Sequence, residues 1–268
     1  MSIAELVETW PVRTAAVGVV DRTGRLDAAG PVGQAFAWAS VTKVVTALAT
    51  WIAVEEGTIA LDDAAGPPGS TVRHLLAHAS GLAPDRDVVL AAPGVRRIYS
   101  NLGIELAATH VAERAAMPFE DYAREAVLEP LGMRGTRLAG SPASGCTGPL
   151  VDLERLAAEL LAPTLVSAGT LGAATTVAFP GLDGVLPGFG RQHPNDWGLG
   201  VEVRDHKAPH WMPRSASPRT FGHFGRAGGF LWVDPDAAIA CCSLSDEPFG
   251  PWAAEAWPAL GEAVLARR

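Results

Sequence analysis

The stretch "FAWASVTKVVTALATWI", residues 36–52, joins a short strand-like segment to a helical one. Val41, Val44, Val45, Leu48 and Ile52 recur at the spacing of an apolar helix face. The pattern predicts a helix running to "EEG" (55–57), with Gly57 as its C-terminal cap. Residues 35–39 read as a strand that delivers the chain to Ser40. Ser40 and Lys43 then lie about one turn apart on one helix face. The chain has only two lysines, Lys43 and Lys207. With twelve serines, chance supplies roughly 0.1 Ser-x-x-Lys pairs in a chain this long, so the pair invites a chemical reason.

A serine hydroxyl is a poor nucleophile until something takes its proton. A helix N-terminus offers free N–H groups to an oxyanion, and its dipole disfavours a nearby ammonium. Burial in an apolar wall lowers a lysine pKa further, so that Lys43 can act as a base. The pair alone leaves the alternative open, with Ser40 as a helix N-cap and Lys43 as a solvated helix residue, and partners are needed to decide.

Working outward, residues 3–9 predict a short helix, 13–21 a buried strand, and 25–30 a second strand after the turn "RTG" (22–24). Helices are predicted over 71–79, 101–115, 118–132 and 149–161, between Gly/Pro-rich loops. Residues 180–196, "PGLDGVLPGFGRQHPND", are too rich in Pro and Gly for regular structure and predict a functional loop bordering an open pocket. Strands return at 197–205, 219–225, 228–235 and 237–245 as an antiparallel meander, followed by a helix over 249–266. This order predicts an α/β (α+β) fold. An antiparallel sheet flanked by helices is built from both chain ends (1–60 and 190–268). A helical domain with active-site loops (61–189) is inserted between them.

The 268 residues are 48% hydrophobic and 19% charged, enough to bury a large core. A formal net charge of −8 has the wrong sign for gripping nucleic acid or anionic membranes. Cys146, Cys241 and Cys242 form no disulfide framework and read as buried hydrophobes, the last two on opposite faces of a strand. No apolar leader or membrane span is visible, so a cytoplasmic location is expected. His74 and His78 have zinc-like spacing, but Leu75 stands where a zinc-helix glutamate belongs, so no metal and no cofactor is expected. His206 and His210 read as solvated loop residues. Trp197, Trp211 and Trp232 are candidates for an apolar pocket wall or for plain core packing.

Two further motifs complete the chemistry. Tyr99 and Asn101 stand in "IYSNLG", just before a helix, and His223, Phe224 and Gly225 stand in "FGHFGRAGG" on a strand. A tyrosine can relay a proton, an asparagine can hold a carbonyl group, and a strand edge ending in Gly225 lets a substrate backbone approach closely.

Together, S-x-x-K at 40–43, Y-x-N at 99–101 and H-x-G at 223–225 resemble the serine β-lactamase and penicillin-binding-protein superfamily, in its branch of class C-like esterases and D-stereospecific peptidases. "VRHLLAHASGL" (72–82) and "LEPLGM" (128–133) resemble segments of the same family. The likeness runs from about residue 14 to 245. It implies Ser40 as acylated nucleophile, Lys43 in its activation and Tyr99 as proton shuttle, and leaves open which of the last two is the base. It further implies Asn101 on the substrate's carbonyl or amide, His223 in support of Tyr99 or substrate, and an oxyanion hole of the Ser40 and Arg226 N–H groups. Gly225, Phe224 and Trp197 would border the substrate.

The third motif lacks the lysine and hydroxyl that bind a β-lactam or peptide carboxylate in lysine-threonine-glycine members. The expected activity is therefore a serine hydrolase acting through an acyl-enzyme on a small-molecule ester or neutral amide. The alternatives are a β-lactamase or D-alanyl peptidase proper, an acyltransferase, and a silent relative used for binding. The sequence sets no oligomeric state.

Overall fold

Gly18 and Cys242 face each other across the two strands that unite the beginning and end of the chain. The computed structural model describes residues 2–267. Strand β1 (Ala15–Asp21) is buried on both faces except at its last residue, and it pairs with β2 (Gly24–Ala29) through the turn at Arg22 and Thr23. The late strands are β8 (Glu202–Val203), β9 (Phe221–Gly225), β10 (Gly229–Asp234) and β11 (Ile239–Ser245). They complete an antiparallel sheet in the order β2-β1-β11-β10-β9-β8.

Alternation along the strands divides two cores. Val17, Val19, Phe230, Trp232 and Cys241 face helices α1 (Ile3–Glu8) and α8 (Pro251–Leu265). Ala16, Val20, Leu231, Val233 and Cys242 face α2 (Thr42–Glu55) and α6 (Leu150–Leu161). Cys241 and Cys242 thus lie on opposite faces, and all three cysteines are buried and free. Every residue of α2 from Thr42 to Ala53 is buried, so this helix runs through the centre of the molecule rather than along its surface.

The intervening segment holds α3 (Val72–Leu76), α4 (Asn101–Ala115), α5 (Phe119–Ala123) with a π-turn at Arg124–Leu128, and α7 (Ala168–Thr175). It also carries β4 (Arg137–Leu138) and β5 (Cys146–Pro149), which pair with β3 (Ala35–Ala37) in the order β3-β5-β4. Neither these two strands nor α7 was expected, because each is too short for a period to show.

Three expectations are corrected. The helix over 71–79 stops at Leu76, since His78 takes a left-handed φ of 53° and turns the chain. Of 197–205, only Glu202–Val203 joins the sheet. Leu199 N–H donates to Ala174 O (2.7 Å) and Gly200 N–H to Leu76 O (2.9 Å), so the helical segment satisfies this backbone. The 180–196 stretch contains a regular hairpin, β6 (Gly184–Leu186) with β7 (Gly190–Gln192). Gly188 and Gly190, both at φ 80°, are used to make its turn.

Candidate active site

Strand β3 is followed by Trp38, whose ring is buried and whose Nε1 donates to Gly148 O (3.0 Å). Ala39 then takes a left-handed φ of 45°, and one 3₁₀ turn (Ala39–Val41) lifts Ser40 to the N-terminal end of α2. A non-glycine residue in that region is uncommon and costs free energy, which the anchored Trp38 offsets. Strand β9 ends against the same turn. A Cβ at Gly225 would stand 2.2 Å from Trp38 O and 3.3 Å from Ser40 N. The close approach expected at Gly225 is therefore made by the chain itself, not by a substrate backbone. It brings the Ser40 segment beside Arg226.

Lys43 is fully buried one turn into α2. Its Nζ is 3.1 Å from Ser40 Oγ, 2.6 Å from Asn101 Oδ1 and 2.8 Å from Ala143 O. Burial lowers its pKa to about 7, against the opposing pull of Glu105 and Asp85. Two of its three neighbours can only accept. A neutral Lys43 therefore spends both N–H bonds on Asn101 and Ala143 and keeps its lone pair for the Ser40 hydroxyl.

Tyr99 sits just before α4, where Ser100 caps the helix by accepting from Gly103 N–H (3.0 Å) and donates to Ala83 O (2.8 Å). The phenol donates to Ser40 Oγ at 2.9 Å. Burial raises its pKa, so Tyr99 rests as a protonated donor. Its ring lies among those of His78, Trp197 and His223, with centroids 4.6, 5.7 and 5.8 Å away.

Both histidines are neutral and their tautomers are fixed. His78 Nδ1 accepts from Ser100 N–H (3.1 Å), so its proton is on Nε2, and burial holds its pKa well below the usual value. His223 Nδ1 faces Phe224 O (2.7 Å), a group that can only accept, so Nε2 carries the lone pair. Burial, helped by the Lys43 charge, lowers His223 to about 3. Neither histidine joins a metal site: among the described residues, no three His, Cys, Asp or Glu side chains are grouped to hold one.

Ser40, Tyr99, Asn101, Trp197, His223, Phe224 and Arg226 all open on one pocket of about 580 Å³. Leu186, Pro187 and Gly188 of the β6–β7 turn close one side of it, and the Phe249 ring lies tilted against Phe224 (centroids 4.9 Å apart) beside them. Trp211 and Trp232 belong instead to the core under α8. A larger groove of about 980 Å³ runs between α6, α7 and the start of β9, far along the strand from Ser40 and with no nucleophile–base pair.

No local pattern in the sequence points to the support behind Trp197. Glu202 Oε1 accepts from Lys207 Nζ (2.7 Å) and meets His210 Nε2 (2.8 Å), while Oε2 accepts from Trp211 Nε1 (2.8 Å). All four side chains are buried, so His210 is not solvated as expected; His206 remains exposed. Burial alone would raise the Glu202 pKa, but Lys207 and His210 outweigh it and keep the carboxylate ionised. Lys207 Nζ stands 5.9 Å from the Trp197 ring. Glu202→Gln is expected to lower the unfolding free energy by about 2 kcal/mol, the scale of a charged hydrogen bond lost without a cavity. Urea denaturation followed by tryptophan fluorescence checks this.

A family model described as Beta-lactamase matches residues 2–265. No curated protein matches the sequence. Among solved structures, a beta-lactamase from Mycobacterium bovis is 52% identical over 99% of each chain, with a TM-score of 0.98. A hydrolase with promiscuous acyltransferase activity is 17% identical, with a TM-score of 0.81 over 98% of this chain and 96% of that one. A penicillin-binding protein homologue from Pyrococcus abyssi, octameric, is 20% identical, with a TM-score of 0.76 over 99% of this chain and 75% of that one. The last two share the fold alone.

Proposed function

The chain belongs to the beta-lactamase family, and we propose that it is a serine hydrolase that opens small esters or neutral amides through an acyl-enzyme on Ser40. The observation that carries this reading is the position of Ser40 Oγ, with Lys43 Nζ at 3.1 Å and Tyr99 Oη at 2.9 Å. One neighbour can take a proton and the other can give one.

Neutral Lys43 takes the Ser40 proton as Oγ bonds to the substrate's carbonyl carbon. The carbonyl oxygen becomes an oxyanion received by the Ser40 and Arg226 N–H groups, a pairing supported by the close approach of Gly225, next to Arg226, to the Ser40 turn. As the bond to the leaving group breaks, the proton held by Lys43 returns to the leaving oxygen or nitrogen with Tyr99 as relay. Water then enters by the same steps in reverse and releases the acid. Asn101 fixes Lys43, and neutral His223 supports Tyr99 from the far wall. Trp197, Phe224, Leu186 and Phe249 form an apolar wall for the acyl group.

The composition of the wall supports a neutral substrate over a strongly anionic one. The third motif offers neutral His223 and apolar Phe224, and Asp85 adds a carboxylate. A second reading, β-lactam hydrolysis, is favoured by one observation: the relative of 52% identity is described as a beta-lactamase. Arg226, on the pocket wall, would then meet the β-lactam carboxylate. A cytoplasmic location remains part of the proposal; no helix of the described residues is long and apolar enough to cross a membrane.

A fluorophosphonate incubated with the protein, followed by peptide mass spectrometry, tests the reading. A single adduct on Ser40, together with p-nitrophenyl butyrate turnover that the adduct abolishes, is the expected result. Folded protein with an unreactive Ser40 would sink it and favour a binding role. Rapid nitrocefin turnover would instead select the β-lactamase reading.

A further inference from the structure

We infer that Asp85 is a positioning residue that acts through Asn101 to aim the Lys43 lone pair at Ser40, an inference that rests on the hydrolase reading. Asn101 bridges the two side chains: its Oδ1 accepts from Lys43 Nζ at 2.6 Å, and its Nδ2 donates to Asp85 Oδ1 at 2.7 Å. An asparagine amide can turn over, exchanging its donor and acceptor ends. A carboxylate accepts only, so Asp85 admits one orientation, with Nδ2 toward itself and Oδ1 toward Lys43.

That orientation matters because of what Lys43 has left to offer. With Asn101 Oδ1 and Ala143 O both accepting, the neutral amine has no N–H left and presents its lone pair to Ser40 Oγ. With the amide reversed, Asn101 would donate to that lone pair and compete with Ser40 for it. Asp85 thus keeps the base free for the nucleophile without touching either.

The backbone carries Asp85 to this place. Asn101 N–H and Leu102 N–H both donate to Pro84 O (2.8 and 3.2 Å), and Ser100 Oγ donates to Ala83 O (2.8 Å). The loop is therefore bolted to the start of α4 independently of the Asp85 side chain. Asp85 is exposed, so its truncation opens no cavity.

The test is p-nitrophenyl butyrate kinetics on the wild type, Asp85→Ala and Asp85→Asn, all checked for folding by circular dichroism. Asp85→Ala is expected to lower kcat about tenfold with KM changed less than about twofold. Asp85→Asn is expected to recover little of the loss, because an amide at position 85 can turn over and so admits Asn101 in either orientation. Unchanged kcat in Asp85→Ala overturns the inference. So does a rise in KM alone, which would place Asp85 on the substrate. An asparagine variant with wild-type kcat would also overturn it, because an amide at position 85 does not fix the direction of Asn101. Wild-type protein without turnover overturns the hydrolase reading and this inference together, whereas turnover indifferent to Asp85 overturns the inference alone.

Discussion

Ser40→Ala and Lys43→Met are each expected to cut ester turnover by about 10⁴-fold, and the double variant to fall no further, because nucleophile and base act as one unit. Methionine keeps the length and apolar stem of Lys43 but removes the nitrogen that takes the proton. The wild-type pH profile provides the second half of the prediction. Burial first of all lowers Lys43 to about 7, and the neutral amine is the working form. Below that pH Lys43 is an ammonium with no lone pair, so kcat/KM is low. It rises as pH passes through about 7 and then levels off. The histidines facing this site do not titrate there: His223 lies at about 3 and His78 well below its usual value. Tyr99 stays protonated through the same range, its pKa being raised by burial. The limb therefore belongs to Lys43. A profile of kcat/KM between about pH 5 and 9, with spontaneous hydrolysis subtracted, reads it directly. A flat profile, or a Lys43→Met variant that retains turnover, would remove Lys43 from the role of base.

Gly225→Ala is expected to lower the unfolding free energy by about 3 kcal/mol and turnover by at least about 100-fold. The added methyl would stand 2.2 Å from the Trp38 carbonyl oxygen. That atom is backbone, and Trp38 is held by the Gly148 bond and by its own N–H to Cys146 O (3.0 Å). Nothing flexible is available to give way, so either β9 or the Ser40 turn must shift. A shift of a few tenths of an ångström there separates Ser40 N from the Arg226 segment. Parallel urea denaturation and ester kinetics check both effects. Wild-type behaviour in both would show that β9 does not abut the Ser40 turn.

The strands and helices that the sequence revealed are those whose side chains repeat. Val17 and Val19 face one core, Ala16 and Val20 the other, and α2 and α6 carry apolar residues at helical spacing. The residues brought together at the site were legible because each chemical group sits in its own short motif. The rest lies in contacts between segments far apart in the chain. Glu202, Lys207 and His210 come from a polar-looking stretch, yet they are mutually satisfied and buried, which no local pattern reports. Asp85 is one carboxylate among many until the Pro84 carbonyl is seen on α4. Trp197, Trp211 and Trp232 looked alike in sequence, and only packing separated the one on the pocket from the two in the core.

The union of the two chain ends in one sheet has a consequence for assembly. Ser40 follows the first three strands, whereas His223 and Arg226 belong to β9 and its turn, 183 and 186 residues further on. A nascent chain can form the helix that bears Ser40 and Lys43 long before it has the strand that completes the site. On the proposed mechanism such a chain has its nucleophile without the oxyanion hole, and a fragment cut anywhere before β9 stays in that condition. If the proposed hydrolysis is found, it marks a finished molecule, and turnover per unit of protein then measures the fraction correctly folded.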